Sequence, residues 1–396
     1  MTTFVFDSLL NNASINFNPN VDLLQFNAAS AAGVTVAEID ATHTSFAFGG
    51  KTVTVNGLAL GQIAAADPVH NNVAFSNGSV LYVGNGAVAT GGASPDDGAN
   101  ILNGTIGNDQ LLGLAGNDTL TGGAGNDIMD GGAGIDTVSY AGASGVTVDL
   151  ARNGASGQGF DTLTNIENAI GSDGDDTFYP NAQDNVLDGG AGSDTVRFDA
   201  GNATSGVIVD LSVTGPQNIG GGTGTDTLIS IENVTGSPFD DTFFGNADNN
   251  VFRGGAGGFD TVSYANAPGP ITLAVGNFIT VTGGPGIGTD SLANDNSIEA
   301  LIGSSFDDSL QGLRIASTLE GGPGNDTITG NVNAVTIASY AHAPGPVTVS
   351  LGIAGPQDTV NAGLDTLVQV EGLLGSAFND TLQGGAGNDI LEGGSG

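Results

Sequence analysis

From Gly104 to Val138 the buried-type residues fall nine apart, at Leu111, Leu120, Met129 and Val138. Between them glycine, asparagine, aspartate and threonine predominate, and the stretch reads as consecutive copies of one unit: GTIGNDQLL, GLAGNDTLT, GGAGNDIMD, GGAGIDTV. Period nine is neither the 3.6 of a helix nor the 2 of a flat strand. It predicts a six-residue turn followed by a three-residue strand with one inward apolar residue. A single copy cannot bury that residue, but stacked copies can.

Beyond Val138 a longer pattern repeats. A strand ends in an aromatic at Ser139-Tyr140, Arg197-Phe198, Ser263-Tyr264 and Ser339-Tyr340. An alternating apolar strand follows at Val146–Leu150, Val207–Leu211, Ile271–Val275 and Val347–Leu351. Next come the aspartates Asp161, Asp226, Asp290 and Asp365, and then IENAIGSDGDDTF, IENVTGSPFDDTF, IEALIGSSFDDSL and VEGLLGSAFNDTL. The second acid of each terminal pair (Asp176, Asp241, Asp308, Asp380) returns to nonapeptide register: Asp194 lies eighteen after Asp176, Asp326 eighteen after Asp308, and Asp389 nine after Asp380. Asp260 lies nineteen after Asp241, because GGAGGFD carries an extra residue. Residues 103–396 therefore read as one solenoid of four blocks, a nonapeptide array interrupted by longer coils.

Residues 1–94 lack the nonapeptide and predict a separate small β domain, with residues 95–102 as a polar linker. Thr44–Phe48 and Lys51–Val55 alternate around Gly49-Gly50, a hairpin signal that sets Phe46 opposite Val53. Val80–Val83 is a further strand. The domain has the size of an adaptor, cap or binding module.

Composition adds the chemistry. There are 42 acids against Lys51, Arg152, Arg197, Arg253 and Arg314, a net charge of −37. This excludes nucleic acid and an anionic membrane surface as partners. No apolar run is long enough for a transmembrane segment, and MTTFVFDSLLNN has no basic start or long apolar core for a cleavable leader. The absence of cysteine excludes disulfides and thiolate metal sites. Glycines at the first and fourth turn positions allow a tight bend and let carbonyls converge. An aspartate at the sixth adds a hard anionic oxygen, and carboxylate plus carbonyl is the donor set that Ca²⁺ takes.

The unit GGxGxDxUx, as it stands at Gly122–Asp130, closely resembles the RTX (repeats-in-toxin, hemolysin-type) calcium-binding repeat. The resemblance implies an all-β fold, a right-handed parallel β-roll or β-helix solenoid behind a small N-terminal β domain. It also implies that two nonapeptides make one coil and that Ca²⁺ sits between stacked turns, pairing Asp109 with Asp127 and Asp118 with Asp136. The metal-site candidates are Gly104, Gly107 and Asp109; Gly113, Gly116 and Asp118; Gly122, Gly123, Gly125 and Asp127; and Gly131, Gly132, Gly134 and Asp136. The later blocks add Gly174 and Asp176; Gly190, Gly192 and Asp194; Gly255, Gly257 and Asp260; Gly322, Gly324 and Asp326; and Gly385, Gly387 and Asp389. Phe239, Phe306 and Phe378 take the fourth place in their turns, which predicts weak calcium binding or an apolar plug. Gly174 keeps the fourth-place glycine, so Asp176 is expected to bind. The turns at Gly312–Ser317 and Gly330–Val335 lack the aspartate and are expected to bind nothing.

Export through a type I secretion apparatus, and a secreted or cell-surface location, are implied by the same resemblance. Gly393–Gly396 are the first four positions of another nonapeptide, so the array is expected to be cut short at its C-terminus. The leading reading is a non-catalytic calcium-binding structural protein whose roll folds on taking Ca²⁺. Competing readings are a calcium-dependent adhesin or surface-layer component, meeting a cell surface or polysaccharide, and the non-catalytic portion of a secreted hydrolase or polysaccharide-modifying enzyme. Catalytic alternatives are weak. Gly50-Lys51-Thr52 has Ser45 where a P-loop needs glycine. Asp67, His70 and Ser76 lack a nucleophile elbow, and His43, His70 and His342 are too scattered for zinc. The acids repeat four times in register, whereas a glycosidase pair occurs once.

Overall fold

In the computed structural model, the described residues are 2–18, 22–27, 31–40, 42–58, 73–75, 77, 81–83, 98–201, 203–294 and 296–396. They form short strands with two single-turn 3₁₀ segments, Phe6–Ser8 and Ala31–Gly33, in two compact units, Met1–Asp194 and Thr195–Gly396. The chain is all-β, and its repeats make a parallel β-roll.

The first unit opens with two small sheets. Thr3–Val5, Leu23–Phe26 and Val73–Phe75 run parallel. Ala13–Asn16, Lys51–Asn56, His43–Phe48 and Thr35–Asp40 form the other, in that order. The expected hairpin is present with Phe46 opposite Val53. Gly49 and Gly50 sit at φ +58° and +77°, the pair of positive angles that a two-residue hairpin turn demands. Phe26 stacks between Phe6 and Phe75, with centroids 4.5 and 5.0 Å away, at the centre of the apolar core.

This module is not set apart from the roll. Leu81–Val83 pairs in parallel with Gln110–Leu112, and Leu112 and Leu114 pack on the module's core. Ile101–Asn103, which begins inside the segment read as linker, already pairs with Thr119–Thr121. The reason is edge protection: the first rung of a solenoid exposes unpaired backbone and apolar side chains unless something covers them.

Within the roll, each three-residue strand hydrogen-bonds to the strand one coil later, and the inward residues stack in columns. Leu111, Met129 and Leu163 form one column, and Leu120, Val138, Ala169 and Leu187 another. In the second unit Val209, Phe243, Val262, Leu301, Leu319, Ala338, Leu373 and Leu391 stand in register. Leu273, Leu310, Ile328 and Leu367 do the same. All but Leu391 are buried, and each large member contributes about 1.5–3 kcal/mol of burial. The longer coils prove to be hairpin insertions. Thr147–Asp149, Gly154–Ser156 and Phe160–Thr164 form an antiparallel meander whose outer strands still stack in parallel on their neighbours. Ile271–Val275, Ile279–Gly283 and Thr289–Leu292 repeat the device. Antiparallel pairing was not expected from a nonapeptide roll. It arises because the middle strand of such an insertion lies between its two outer strands and pairs with them, while the outer strands rejoin the stack.

Candidate metal sites

Each acidic turn folds its sixth-place aspartate back over its own first glycine. One carboxylate oxygen, Oδ2, lies where a Cβ would stand on Gly113 (from Asp118), Gly122 (Asp127), Gly131 (Asp136), Gly303 (Asp308) and Gly321 (Asp326). A carbonyl oxygen from the next rung approaches the same point: Gly131 O at Gly113, Asn165 O at Gly131, and Gly321 O at Gly303. Glycine is needed here because two oxygens fill the space of a side chain. The second and fourth glycines pack on carbonyls too. Gly123 lies over Thr105 O and Gly132 over Leu114 O, while Gly125 lies over Gly107 O, Gly134 over Gly116 O and Gly192 over Gly174 O.

The first-place glycines of the later turns, Gly171, Gly236, Gly254, Gly303 and Gly321, belong to this cradle, as does the Gly189 carbonyl at Gly171, although none of them was among the sequence candidates. Their signal was the glycine five residues before each aspartate, or six in the case of Gly254. In GGAGGFD the extra residue moves the stacked position to Gly258, which lies over Phe239 O, whereas Gly257 only touches Pro238 O at 3.4 Å. Gly385, Gly387 and Asp389 form an exposed turn in which Gly385 N donates to Asp389 Oδ2 at 2.7 Å.

The other oxygen, Oδ1, builds a ladder between rungs. Asp109 N donates to Asp127 Oδ1 and Asp118 N to Asp136 Oδ1, both at 2.7 Å, so the two expected aspartate pairs are stacked neighbours. Asp176 N reaches Asp194 Oδ1 at 2.8 Å, Asp241 N reaches Asp260 Oδ1 at 2.9 Å, and Asp308 N reaches Asp326 Oδ1 at 2.8 Å. The ladder also includes residues that sequence reasoning left outside the site. Asp161, Asp290 and Asp365 accept from Asp127 N, Asn250 N and Asp326 N. Glu167, Glu299 and Glu371 accept from Asp136 N, Asp260 N and Thr336 N. The available signal was the buried apolar residue two positions after each, at Leu163, Leu292 and Leu367 and at Ala169, Leu301 and Leu373.

What becomes of Oδ2 differs between turns. Asp127, Asp136 and Asp326 are at most 1% exposed, and their Oδ2 atoms have no hydrogen-bond donor. A charged oxygen left so costs at least about 1–3 kcal/mol. By contrast, Ser172, Ser237, Ser304 and Ser376 donate backbone N–H to Oδ2 of Asp176, Asp241, Asp308 and Asp380 at 2.5–2.7 Å. Their hydroxyls donate to Oδ1. Thr105 caps Asp109 with its N–H on Oδ2 and its hydroxyl shared between Oδ2, at 3.0 Å, and Oδ1, at 3.3 Å. Asn185 and Asn250 take the sixth place as neutral amides, accepting from Asn181 N and Asn246 N. Ser317 Oγ and Thr336 Oγ1 serve the two turns without an aspartate. The rings of Phe239, Phe306 and Phe378 are 40–45% exposed, so they plug nothing.

Burial raises the carboxyl pKa values, and neighbouring acids add to it. Asp127 and Asp136 are pushed to about 6, with Asp161 and Asp109 acting on the first and Asp118 and Glu167 on the second. Burial takes Asp260 to about 7, beside Asp241 and Glu299, and Asp326 to about 8, beside Asp365 and Asp308. A site that holds its carboxylates out of water, close together and without donors favours either protons or a cation. Among the described residues no group of three or more His, Asp or Glu side chains is placed to hold a metal by side chains alone. A cation here would draw on the converging carbonyls as well, and a hard all-oxygen set of that kind fits Ca²⁺. The residues that would hold it are the donor-free aspartates, with Asn165 O the backbone oxygen that approaches the Asp136 turn.

Catalytic groupings fare differently. Asp67, His70 and Ser76 lie outside the described residues. On the second unit, Ser339, Glu320 and His342 line a groove of about 570 Å³. Ser339 Oγ donates to Glu320 Oε2 at 2.9 Å, and His342 Nδ1 lies 3.0 Å from the same oxygen. The carboxylate, not the histidine, faces the serine, which is not the order of a serine–histidine relay.

No curated protein matches the chain. The family model of the RTX calcium-binding nonapeptide repeat (4 copies) matches residues 103–138, 170–204, 231–258, 301–334 and 373–396. These segments hold the stacked acidic turns, except that Asp260 lies two residues past one of them, while the hairpin insertions fall between them. Through the repeats of residues 103–396, the chain belongs to the RTX calcium-binding repeat family.

Proposed function

We propose that this is a secreted structural protein whose roll completes its fold only when Ca²⁺ enters the acidic turns. The observation that carries the reading is the set of buried, donor-free carboxylate oxygens at Asp127, Asp136 and Asp326. Stacked carboxylates about 5 Å apart repel by roughly 3 kcal/mol per pair at an effective dielectric of 20. With a net charge of −37 the whole chain shares that repulsion. A divalent ion between turns turns repulsion into attraction, and its binding free energy becomes folding free energy.

Extracellular calcium modules bind at about 10⁻⁴–10⁻³ M. A roll of that affinity stays open in a calcium-poor cytoplasm and closes outside, which suits passage through a type I exporter as an unfolded chain. Its role is structural and binding rather than catalytic. Circular dichroism with and without chelator tests the proposal: β signal should fall in chelator and return with millimolar calcium. An unchanged spectrum in excess chelator would sink it.

A further inference from the structure

We propose that the roll carries two kinds of acidic turn: open turns that require a cation, and sealed turns whose carboxylates are satisfied by the protein's own donors. The inference rests on the calcium reading and refines it by saying which aspartates take the ion. Two features separate the kinds: whether the residue after the first glycine donates to the aspartate, and the tyrosine that opens a block; the exposed Asp389 turn, where Gly385 N donates to Oδ2, is placed in neither.

In the open turns of Asp127, Asp136 and Asp326 the second residue is Gly123, Gly132 or Gly322, at φ +93°, +95° and +92°. No donor meets Oδ2. In the serine turns the second residue sends both its N–H and its hydroxyl to the aspartate, so Asp176, Asp241, Asp308 and Asp380 have donors on both oxygens. Val146 N, Val207 N, Ile271 N and Val347 N add a third bond to each carboxylate, at Oδ1. The tyrosine seal is different in kind. Tyr140 Oη donates to Asp161 Oδ2 at 2.8 Å, and Tyr264 Oη donates to Asp290 Oδ2 at 2.7 Å, while Oδ1 of each aspartate accepts a rung N–H. Both tyrosines are buried, at 2% and 4% exposure. Tyr340 holds the matching place, but its hydroxyl makes no hydrogen bond, so Asp365 is not counted as sealed.

The chemistry is a competition for one carboxylate oxygen. A neutral N–H or O–H aimed at a carboxylate oxygen supplies the positive field that an ion would supply, and it stands in the direction the ion would take. A cation must displace that donor and leave it unpaired in a buried place, whereas at an open turn it displaces nothing. The sealed turns thus hold their rungs without calcium, and the open ones do not.

The test is calcium stoichiometry of the full-length chain, by equilibrium dialysis with metal analysis, together with the calcium midpoint of folding by circular dichroism. Asp127→Asn and Asp326→Asn should each lose at least one bound calcium, while Asp161→Asn and Asp241→Asn should lose none. Tyr264→Phe keeps the ring and removes the seal; it should gain one calcium and raise the folding midpoint at least twofold. Loss of calcium in Asp161→Asn or Asp241→Asn equal to that in Asp127→Asn would overturn the assignment. So would a Tyr264→Phe chain with unchanged stoichiometry and midpoint. A wild-type chain that binds no calcium would instead refute the reading beneath it, an outcome distinct from both.

Discussion

A buried carboxyl group is where this protein's dependence on solution conditions begins. Asp127 and Asp136 stand at about 6, Asp260 at about 7 and Asp326 at about 8, against an ordinary value of 3.8, with burial the largest cause in each. A raised folded-state value means that the unfolded chain gives up its proton first. Stability from these groups is therefore fully present below about pH 4 and is lost as pH rises through the folded values of 6 to 8. In chelator, β signal should increase as pH is lowered from 8 towards 5. With calcium the sign is opposite, because protons compete for the same oxygens: the calcium midpoint should rise as pH falls over that range. Calcium titrations followed by circular dichroism at several pH values check both, and a pH-independent midpoint would contradict the assignment of these carboxyls. The need for aspartate at the sixth place was legible in its spacing. Whether its second oxygen meets a donor was not, since that depends on where Ser172 or Tyr140 points after the coil has closed.

The turn as an element explains the glycines. At Gly134, φ is +151° and Gly116 O occupies the space of a Cβ. At Gly142, φ is +80° but nothing lies within 4 Å. Gly134→Ala should therefore cost more than backbone strain alone, on the order of 3 kcal/mol, and Gly142→Ala only about 1–2 kcal/mol. Denaturant unfolding in saturating calcium measures the difference, and equal losses would show that rung contact does not constrain the turn. The strand half of each unit was equally readable. An acid followed two residues later by a buried apolar residue holds for Asp118 and Leu120, for Asp241 and Phe243, and also for Glu299 and Leu301. The longer coils were less so. Alternation in Ile271–Val275 announces a strand, yet only its pairing with Ile279–Gly283 makes it an arm of a hairpin.

At the scale of the whole molecule, two sources of stability coexist. The N-terminal module is held by a conventional apolar core of Phe6, Phe26, Phe46, Val53 and Val55, each at most 1% exposed, with no buried acid in its core cluster. The roll from Gly104 to Ser139 has inward apolar residues too, but its turns carry Asp109, Asp118, Asp127 and Asp136 in the interior. Removing calcium should melt the second and spare the first. Hydrogen exchange in chelator should keep protection at His43–Phe48 and Lys51–Asn56 while Thr119–Thr121 and Ile128–Asp130 lose it. Simultaneous loss in all four segments would mean that the module depends on the roll it adjoins.

Sequence alone determined the period, the sixth-place acid, the inward apolar residue and the hairpin around Gly49-Gly50, because each is imposed by local backbone geometry and by the need to bury one residue per turn. It also determined the calcium-type donor set, since glycine carbonyls and carboxylates recur together. Tertiary structure alone decided three things. It joined the N-terminal module to the first rungs, as Leu112 and Leu114 meet that core only once the chain has coiled. It brought Glu167 and Asp161 into the ladder, across separations of 31 and 34 residues. And it divided the aspartates into those with donors and those without, because a hydrogen bond to a buried oxygen depends on which rung lies next to it rather than on the spacing of residues along the chain.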